Sequence, residues 1–279
     1  MSTITSSSTL SSIRASFGSW PMDRDIDDVR PYRCLHLTAR RFIAAFQDKY
    51  ILKLFDDDID SVEKELGMML LAGGCSVIPL GRVFKEGKIY GIIMPYETPI
   101  VPPSPDPTYS PLVSSELSRR DRLRIINQLR QLLSLLHAKG IIHGDIKPSN
   151  LLLCSDGELR FCDFGDAAVE DEGDIPRAMS IQYSSPFISR TIPLVPLTKA
   201  EDLYAAGISM WEIYTGRIPF DDVDEDMIED VIKLGVRPDI TLIDDAMVAK
   251  LIVSYLDSGD RSFYEGRSPQ AMQTFVDTF

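Results

Sequence analysis

Hydrophobic and polar positions follow two rhythms along this chain, and the change from one to the other divides it. Between Tyr32 and Tyr96 the apolar residues fall in short runs, at Arg41–Phe46, Tyr50–Phe55, 78–84 and 88–94, with the length and composition of strands. One helical stretch interrupts them. Over 59–71, Val62, Leu66 and Met69 recur at helical spacing. A proline-rich segment, 98–111, then breaks regular structure and reads as an exposed connection. Beyond it Leu123, Ile126, Leu129, Leu132, Leu133 and Leu136 form an apolar stripe, with Ser118 as a cap before it and Gly140 just past its end. Two short runs, Leu151–Leu153 and 158–161, are joined through Asp156-Gly157, a hairpin turn signal. The stretch 203–214 reads as a buried helix in which Ala205, Ala206 and Gly207 permit close packing. Strands first and helices second predict an α+β protein of two lobes, a small antiparallel β lobe with one helix and a larger, mainly helical lobe.

Composition narrows the function classes. The chain has 279 residues, 44% of them hydrophobic, enough for one large domain or two lobes sharing an interface. Its formal charge of −13, with no dense Lys/Arg run, argues against nucleic acid as a partner. No stretch approaches the roughly 18 apolar residues that a membrane span needs, so no membrane partner is expected. Cys34, Cys75, Cys154 and Cys162 form no C-x-x-C pair, which fits reduced thiols in a cytoplasmic or nuclear protein better than zinc or disulfides. Residues 1–28 are expected to be a flexible Ser/Thr-rich tail. The first 22 hold Arg14 and no acid before Asp23, but show no clear cationic amphipathic face, so a transit peptide is the weaker reading.

The decisive stretch is IIHGDIKPSNLLL, from Ile141 to Leu153, followed by FCDFG, from Phe161 to Gly165. Together they resemble the catalytic loop and metal-binding motif of the eukaryotic protein kinase family, and the resemblance extends from about Tyr32 to the C-terminus. It implies a serine/threonine kinase that uses ATP and magnesium and acts on protein substrates. Phosphoryl transfer needs little covalent help, so positioning and charge neutralisation dominate. By this resemblance Asp145 accepts the proton of the substrate hydroxyl, and Lys147 reaches the transferred phosphate. Asn150 and Asp163 hold magnesium. His143 is expected to pack in the core and to move no proton. Either motif alone would read equally well as an ordinary loop or turn; the two together, separated by a hairpin of suitable length, displace that alternative.

Weaker matches fill in the site. YILKLF places Lys53 at the family's phosphate-binding lysine, with Glu65 on the next helix as its ion-pair partner. Glu63 competes, but Glu65 puts Met69 one turn later on the same face, where the family packs an apolar residue against Phe164. IIMPYE resembles the end of the last small-lobe strand and the hinge, with Met94 behind the adenine and main-chain groups of Pro95, Tyr96 and Glu97 at its edge. Pro95 lacks an N–H, but its carbonyl can accept from the adenine amine. Leu152 is expected to line the same nucleotide site. SIQYSSPF resembles the end of the activation segment, with Ser180 contacting Asp145 and Lys147, and Asp202 begins a match to the family's long buried helix. The implied layout is a kinase domain over 29–279, with the small lobe at 29–94, the hinge at 95–98 and the large lobe at 99–279.

Several departures bear on activity. Arg33 to Lys49 contains no glycine where the family has a glycine-rich loop over the phosphates, and Ile51 replaces a small residue roofing the adenine. Gly144 replaces the arginine that grips a phosphorylated activation segment, and Glu170, Asp171, Glu172 and Asp174 already make that segment acidic. Constitutive or partner-controlled activity is therefore expected. Phe187 stands where a glutamate usually pairs with an arginine, here Arg267. The acidic run from Asp221 to Asp230 is either a solvated loop or a surface for a basic partner. Two rivals remain. A pseudokinase acting as a binding or scaffold module would explain the missing glycines, and a small-molecule kinase would share HGD but not Lys147-Pro148, Ser180 and the Asp202 helix. Substrate identity and oligomeric state are not legible.

Overall fold

A computed structural model describes residues 18–31, 33–37, 41–55, 59–102, 113, 117–170, 180–191 and 195–261. The chain divides into two compact units, one of Met1–Pro111 with Leu151–Ala167, the other of Leu112–Asn150 with Ala168–Phe279. Among the described residues no helix is long and apolar enough to cross a membrane.

The first unit is built on a six-stranded sheet. Its strands are β1 (Arg24–Asp25), β2 (Arg33–Leu37), β3 (Arg41–Phe46), β4 (Tyr50–Phe55), β5 (Gly81–Lys85) and β6 (Lys88–Pro95), in the order β1-β5-β6-β4-β3-β2. All neighbours are antiparallel except β1 with β5. Helix α1 (Ile59–Ala72) follows β4 and buries Val62, Leu66 and Met69 at the predicted spacing. A core of Val29, Phe46, Leu52, Val83 and Ile93 closes the sheet, with Met22 and Ile26 packed against it. A second sheet joins β7 (Thr98–Pro99), β9 (Leu151–Leu153) and β10 (Leu159–Phe161) in the order β10-β9-β7.

Two stretches differ from expectation. Residues 18–28, read from sequence as the end of the tail, contribute β1 and dock on β5. Gly81 admits them: a Cβ there would lie 2.4 Å from the Met22 main chain. Asp23 then accepts from the Arg82 backbone N–H at 2.9 Å and from its guanidinium at 2.6 and 3.1 Å, and the Arg82 guanidinium lies over the Trp20 ring. The rest of the expected tail, 1–17, lies outside the described residues. The proline-rich connection begins as β7, with Ile100 and Val101 buried, because Thr98–Pro99 completes the ladder beside β9. Its continuation over 103–112 is outside the described residues.

The second unit is helical. Helix α2 (Arg119–Ala138) is capped by Ser118 and buries Ile125, Ile126, Leu129, Leu132, Leu133 and Leu136. A short pairing joins β8 (Ile141–Ile142) to β11 (Ala168–Val169). After α3 (Pro186–Arg190) comes α4 (Lys199–Thr215), buried along most of its length, started by a Thr198/Glu201 capping box and stopped by Gly216 at φ 70°. Helix α5 (Ile228–Lys233) packs with Phe220, and α6 (Ala246–Gly259) lies against α4. The close packing expected around Gly207 is real: a Cβ there would sit 2.9 Å from Leu256 Cδ2.

Candidate active site

On the sheet unit the chemistry begins with strand register. β3 and β4 pair so that Arg41 faces Phe55 and Ile43 faces Lys53, which puts Arg41 and Lys53 on one face as diagonal neighbours. Lys53 is buried, with Nζ 2.6 Å from Glu65 Oε1 on α1 and 2.8 Å from Asp163 Oδ1. Burial works against its charge, but the Glu65 and Asp163 carboxylates outweigh it and hold the ammonium pKa above the usual lysine value. Between the rival acids, it is Glu65 that meets the lysine.

Asp163 is carried by the hairpin of β9 and β10. The Cys154-to-Gly157 turn closes with Gly157 at φ 83° and its N–H on the Cys154 carbonyl, and Arg160 ties itself to Asp156 across it. That pair, with the Glu158 N–H, holds the Asp156 carboxyl down to about 2. Asp163 itself has φ 61°, a region rare for a residue with a Cβ and a mark of imposed conformation. Besides Lys53 it binds Arg41, whose Nη1 donates to Oδ1 at 2.9 Å and to Oδ2 at 3.1 Å. Phe164 and Met69 are both fully buried in this unit.

The expected adenine-edge residues lie at the end of β6. Met94 faces Ile51 across the ladder and both are half-buried, so the bulky Ile51 stands beside the residue expected behind the base. The Tyr96 N–H donates to the Lys49 carbonyl at 2.7 Å, so that N–H is engaged within the sheet. The Glu97 side chain accepts from the Ser155 N–H. Leu152 is half-buried in β9 between Arg160 and Pro99.

On the helical unit a separate network forms. Asp202, near the start of α4, accepts from the main-chain N–H groups of His143 at 2.8 Å and Gly144 at 2.9 Å, with His137 Nε2 2.8 Å from Oδ2. Gly144 has φ 79°, which glycine adopts without strain. His143 is fully buried, and its Nδ1 accepts from the Asp145 N–H, which ties the ring to the loop it sits beneath. From this anchored loop Asp145 projects. Its Oδ2 lies 2.8 Å from Lys147 Nζ and accepts from Asn150 Nδ2 at 2.9 Å; its Oδ1 accepts from Ser180 Oγ at 2.8 Å. Lys147 also donates to Ser180 Oγ at 2.8 Å. Asn150 Nδ2 further donates to the Asp145 carbonyl, so both of its bonds to Asp145 use the amide nitrogen and not Oδ1. An oriented carboxylate, an ammonium and a hydroxyl thus meet within one unit.

Magnesium takes hard oxygen ligands, and the Asp163 carboxylate and Asn150 amide oxygen are of that kind. Asp163 already gathers two cationic side chains, so its surroundings accept positive charge.

Three features escaped the sequence reading. Arg41 is visible only once the β3–β4 register is known. Tyr183 donates to Glu212 Oε2 at 2.6 Å inside the helical unit, a pair no local motif announces. Arg267 lies outside the described residues, and Arg261 instead stacks over the Phe187 ring, 4.4 Å from its centroid, while pairing with Glu201. Asp171, Glu172 and Asp174 also lie outside the described residues, whereas Glu170 pairs with Lys199.

Residues 31–257 match the family model for the protein kinase domain, and the chain belongs to the protein kinase family. It is similar to serine/threonine-protein kinase GIN4 of Saccharomyces cerevisiae, 30% identical over 166 residues, which are 58% of this chain and 14% of the yeast protein. It is also similar to serine/threonine-protein kinase PrkC of Bacillus subtilis, 33% identical over 149 residues, covering 52% and 22%. A third relative, probable serine/threonine-protein kinase gdt4 of Dictyostelium discoideum, is 27% identical over 186 residues, covering 64% and 11%. The matched stretch covers less than a quarter of each of these relatives.

Proposed function

We propose that this chain transfers the γ-phosphate of ATP to serine or threonine hydroxyls of protein substrates. The observation that carries the reading is the hydrogen-bonded cluster of Asp145, Lys147, Asn150 and Ser180. Asp145 takes the proton of the incoming hydroxyl. Lys147 neutralises the phosphate being transferred, and Ser180 Oγ orients both. Lys53, held by Glu65, neutralises the nucleotide phosphates. Met94, Leu152, the Pro95 carbonyl and the Glu97 main chain receive the adenine. Magnesium, when bound through Asp163 and Asn150, supplies charge neutralisation and alignment of the phosphates. The lobe boundaries at 29–94 and 99–279, with a hinge at 95–98, and a cytoplasmic or nuclear location belong to this proposal.

The test is radiolabel transfer from γ-labelled ATP to a mixed Ser/Thr protein substrate. Asp145→Asn should lower kcat by at least about a hundredfold, the scale of general-base loss, while leaving ATP affinity within twofold. Label transfer persisting at the wild-type rate in that variant would sink the assignment. A second reading, a pseudokinase binding module, draws on Ile51 facing Met94 and on the glycine-free stretch before Lys53. An unchanged melting temperature with ATP and magnesium would favour it.

A further inference from the structure

We propose that Arg41 is a nucleotide-phosphate ligand, supplying from its guanidinium the donors that glycine N–H groups give elsewhere in the family, and that without nucleotide it serves as the counter-ion of Asp163. The inference rests on the kinase reading above.

Three observations on the sheet unit carry it. First, the sequence from Arg33 to Lys49 has no glycine, the residue whose bare backbone permits the closest approach to a phosphate. Arg41 opens β3 within that stretch. Second, the guanidinium bonds both Asp163 oxygens, and it does so on the open side of the cluster. The Arg41 and Asp163 side chains are 30% and 28% exposed, against 3% for Lys53. The Lys53–Glu65 pair is the buried, fixed half; the Arg41 half is reachable from solvent. Third, Gly165 leaves the room: a Cβ there would sit 2.5 Å from Arg41 Nη2.

Charge makes the consequence definite. Arg41 and Lys53 together balance Glu65 and Asp163, whereas without Arg41 the cluster would carry a net negative charge facing a polyanion. A guanidinium presents a planar fork suited to phosphate oxygens, and it keeps its charge at every working pH. A divalent ion arriving at Asp163 competes with Arg41 for the same oxygens and releases it to the phosphates. Arg41 thereby couples divalent-ion binding and phosphate binding; with no divalent ion present, the phosphates themselves compete with Asp163 for the guanidinium, and Arg41 still adds to nucleotide affinity.

The experiment is calorimetric titration of the full chain with ATP, once in EDTA and once in magnesium, plus titration of nucleotide-free protein with manganese followed by electron paramagnetic resonance. Wild type should bind ATP in EDTA. Arg41→Ala should weaken that binding about tenfold, the worth of one charge-assisted contact, and should tighten manganese binding in the absence of nucleotide. Arg41→Lys, which keeps the charge but not the fork, should fall between them and guards against a folding defect in the alanine variant. ATP affinity in EDTA that is the same in wild type and both variants, or manganese binding unchanged by Arg41→Ala, overturns the proposal while leaving the kinase reading intact. Wild type that binds ATP in neither condition overturns the kinase reading, and this proposal with it.

Discussion

Glu212 is the residue whose chemistry is most at odds with its surroundings. Buried in α4, it has its carboxyl pushed up to about 7, mainly by desolvation, and the Tyr183 hydroxyl only partly offsets this. The folded protein therefore holds that proton more tightly than the unfolded chain, whose glutamate titrates near 4.5. Stability from this group is complete below the unfolded value and is lost as pH rises through about 7, by up to about 3 kcal/mol. Denaturant melts from about pH 5 to 8 should show wild type losing stability relative to Glu212→Gln. Parallel curves for the two proteins would mean that Glu212 stays ionised throughout. Residues differ in how readily the sequence reveals them, and the reason is range. Asp145, Asn150 and Asp163 sit in two short motifs joined by one hairpin, so their spacing is set by local chain geometry, and Lys53 is singled out only with their help. Arg41 and Glu212 acquire partners 122 and 29 positions away, and nothing local encodes those meetings.

At the scale of elements, periodicity was a good guide wherever one face is buried. β3 and β4 match the runs read from sequence, α1 carries the predicted stripe, and α2 carries it from Ile126 onward, with Leu123 only half-buried and Ile125 buried in addition. It failed where an element is held by polar and main-chain contacts. β1 is two residues long and docks through Asp23, Arg82 and the bare backbone at Gly81, so its segment reads as tail. The joint of α4 and α6 is of the same bare-backbone kind. A Cβ on Gly259 would lie 2.2 Å from the Tyr204 nitrogen and 2.6 Å from the Ala200 carbonyl oxygen, both main-chain atoms of a buried helix that cannot swing aside. Gly259→Ala should therefore cost about 3 kcal/mol, at the upper end for overpacking, read as a lower midpoint in urea. Ser258→Ala, one residue earlier, should cost about 1 kcal/mol or less. Equal losses in the two variants would show that the two helices separate easily.

For the whole molecule, the net charge of −13 governs encounters with other proteins. Some of the acids in this region are neutralised locally: Asp221 pairs with Arg217, and Glu229 with Lys233. Asp222, Asp224, Glu225 and Asp226 are exposed in the loop and short turn between α4 and α5, which concentrates negative potential on one segment of the helical unit. A basic peptide approaching the chain feels that field within about 10 Å at 0.1 M salt, whereas a neutral peptide does not. Replacing these four acids by Asn or Gln should lower kcat/KM for an arginine-flanked serine peptide about tenfold at low salt. The difference should close near 0.5 M salt, where the screening length is only a few ångströms. Transfer to a neutral peptide should be unaffected, because these side chains belong to neither the Lys53–Glu65–Asp163 cluster nor the Asp145–Lys147–Ser180 cluster. An equal loss on both peptides would show that the segment shapes the fold, and a loss that persists at high salt would show direct contact in place of long-range attraction.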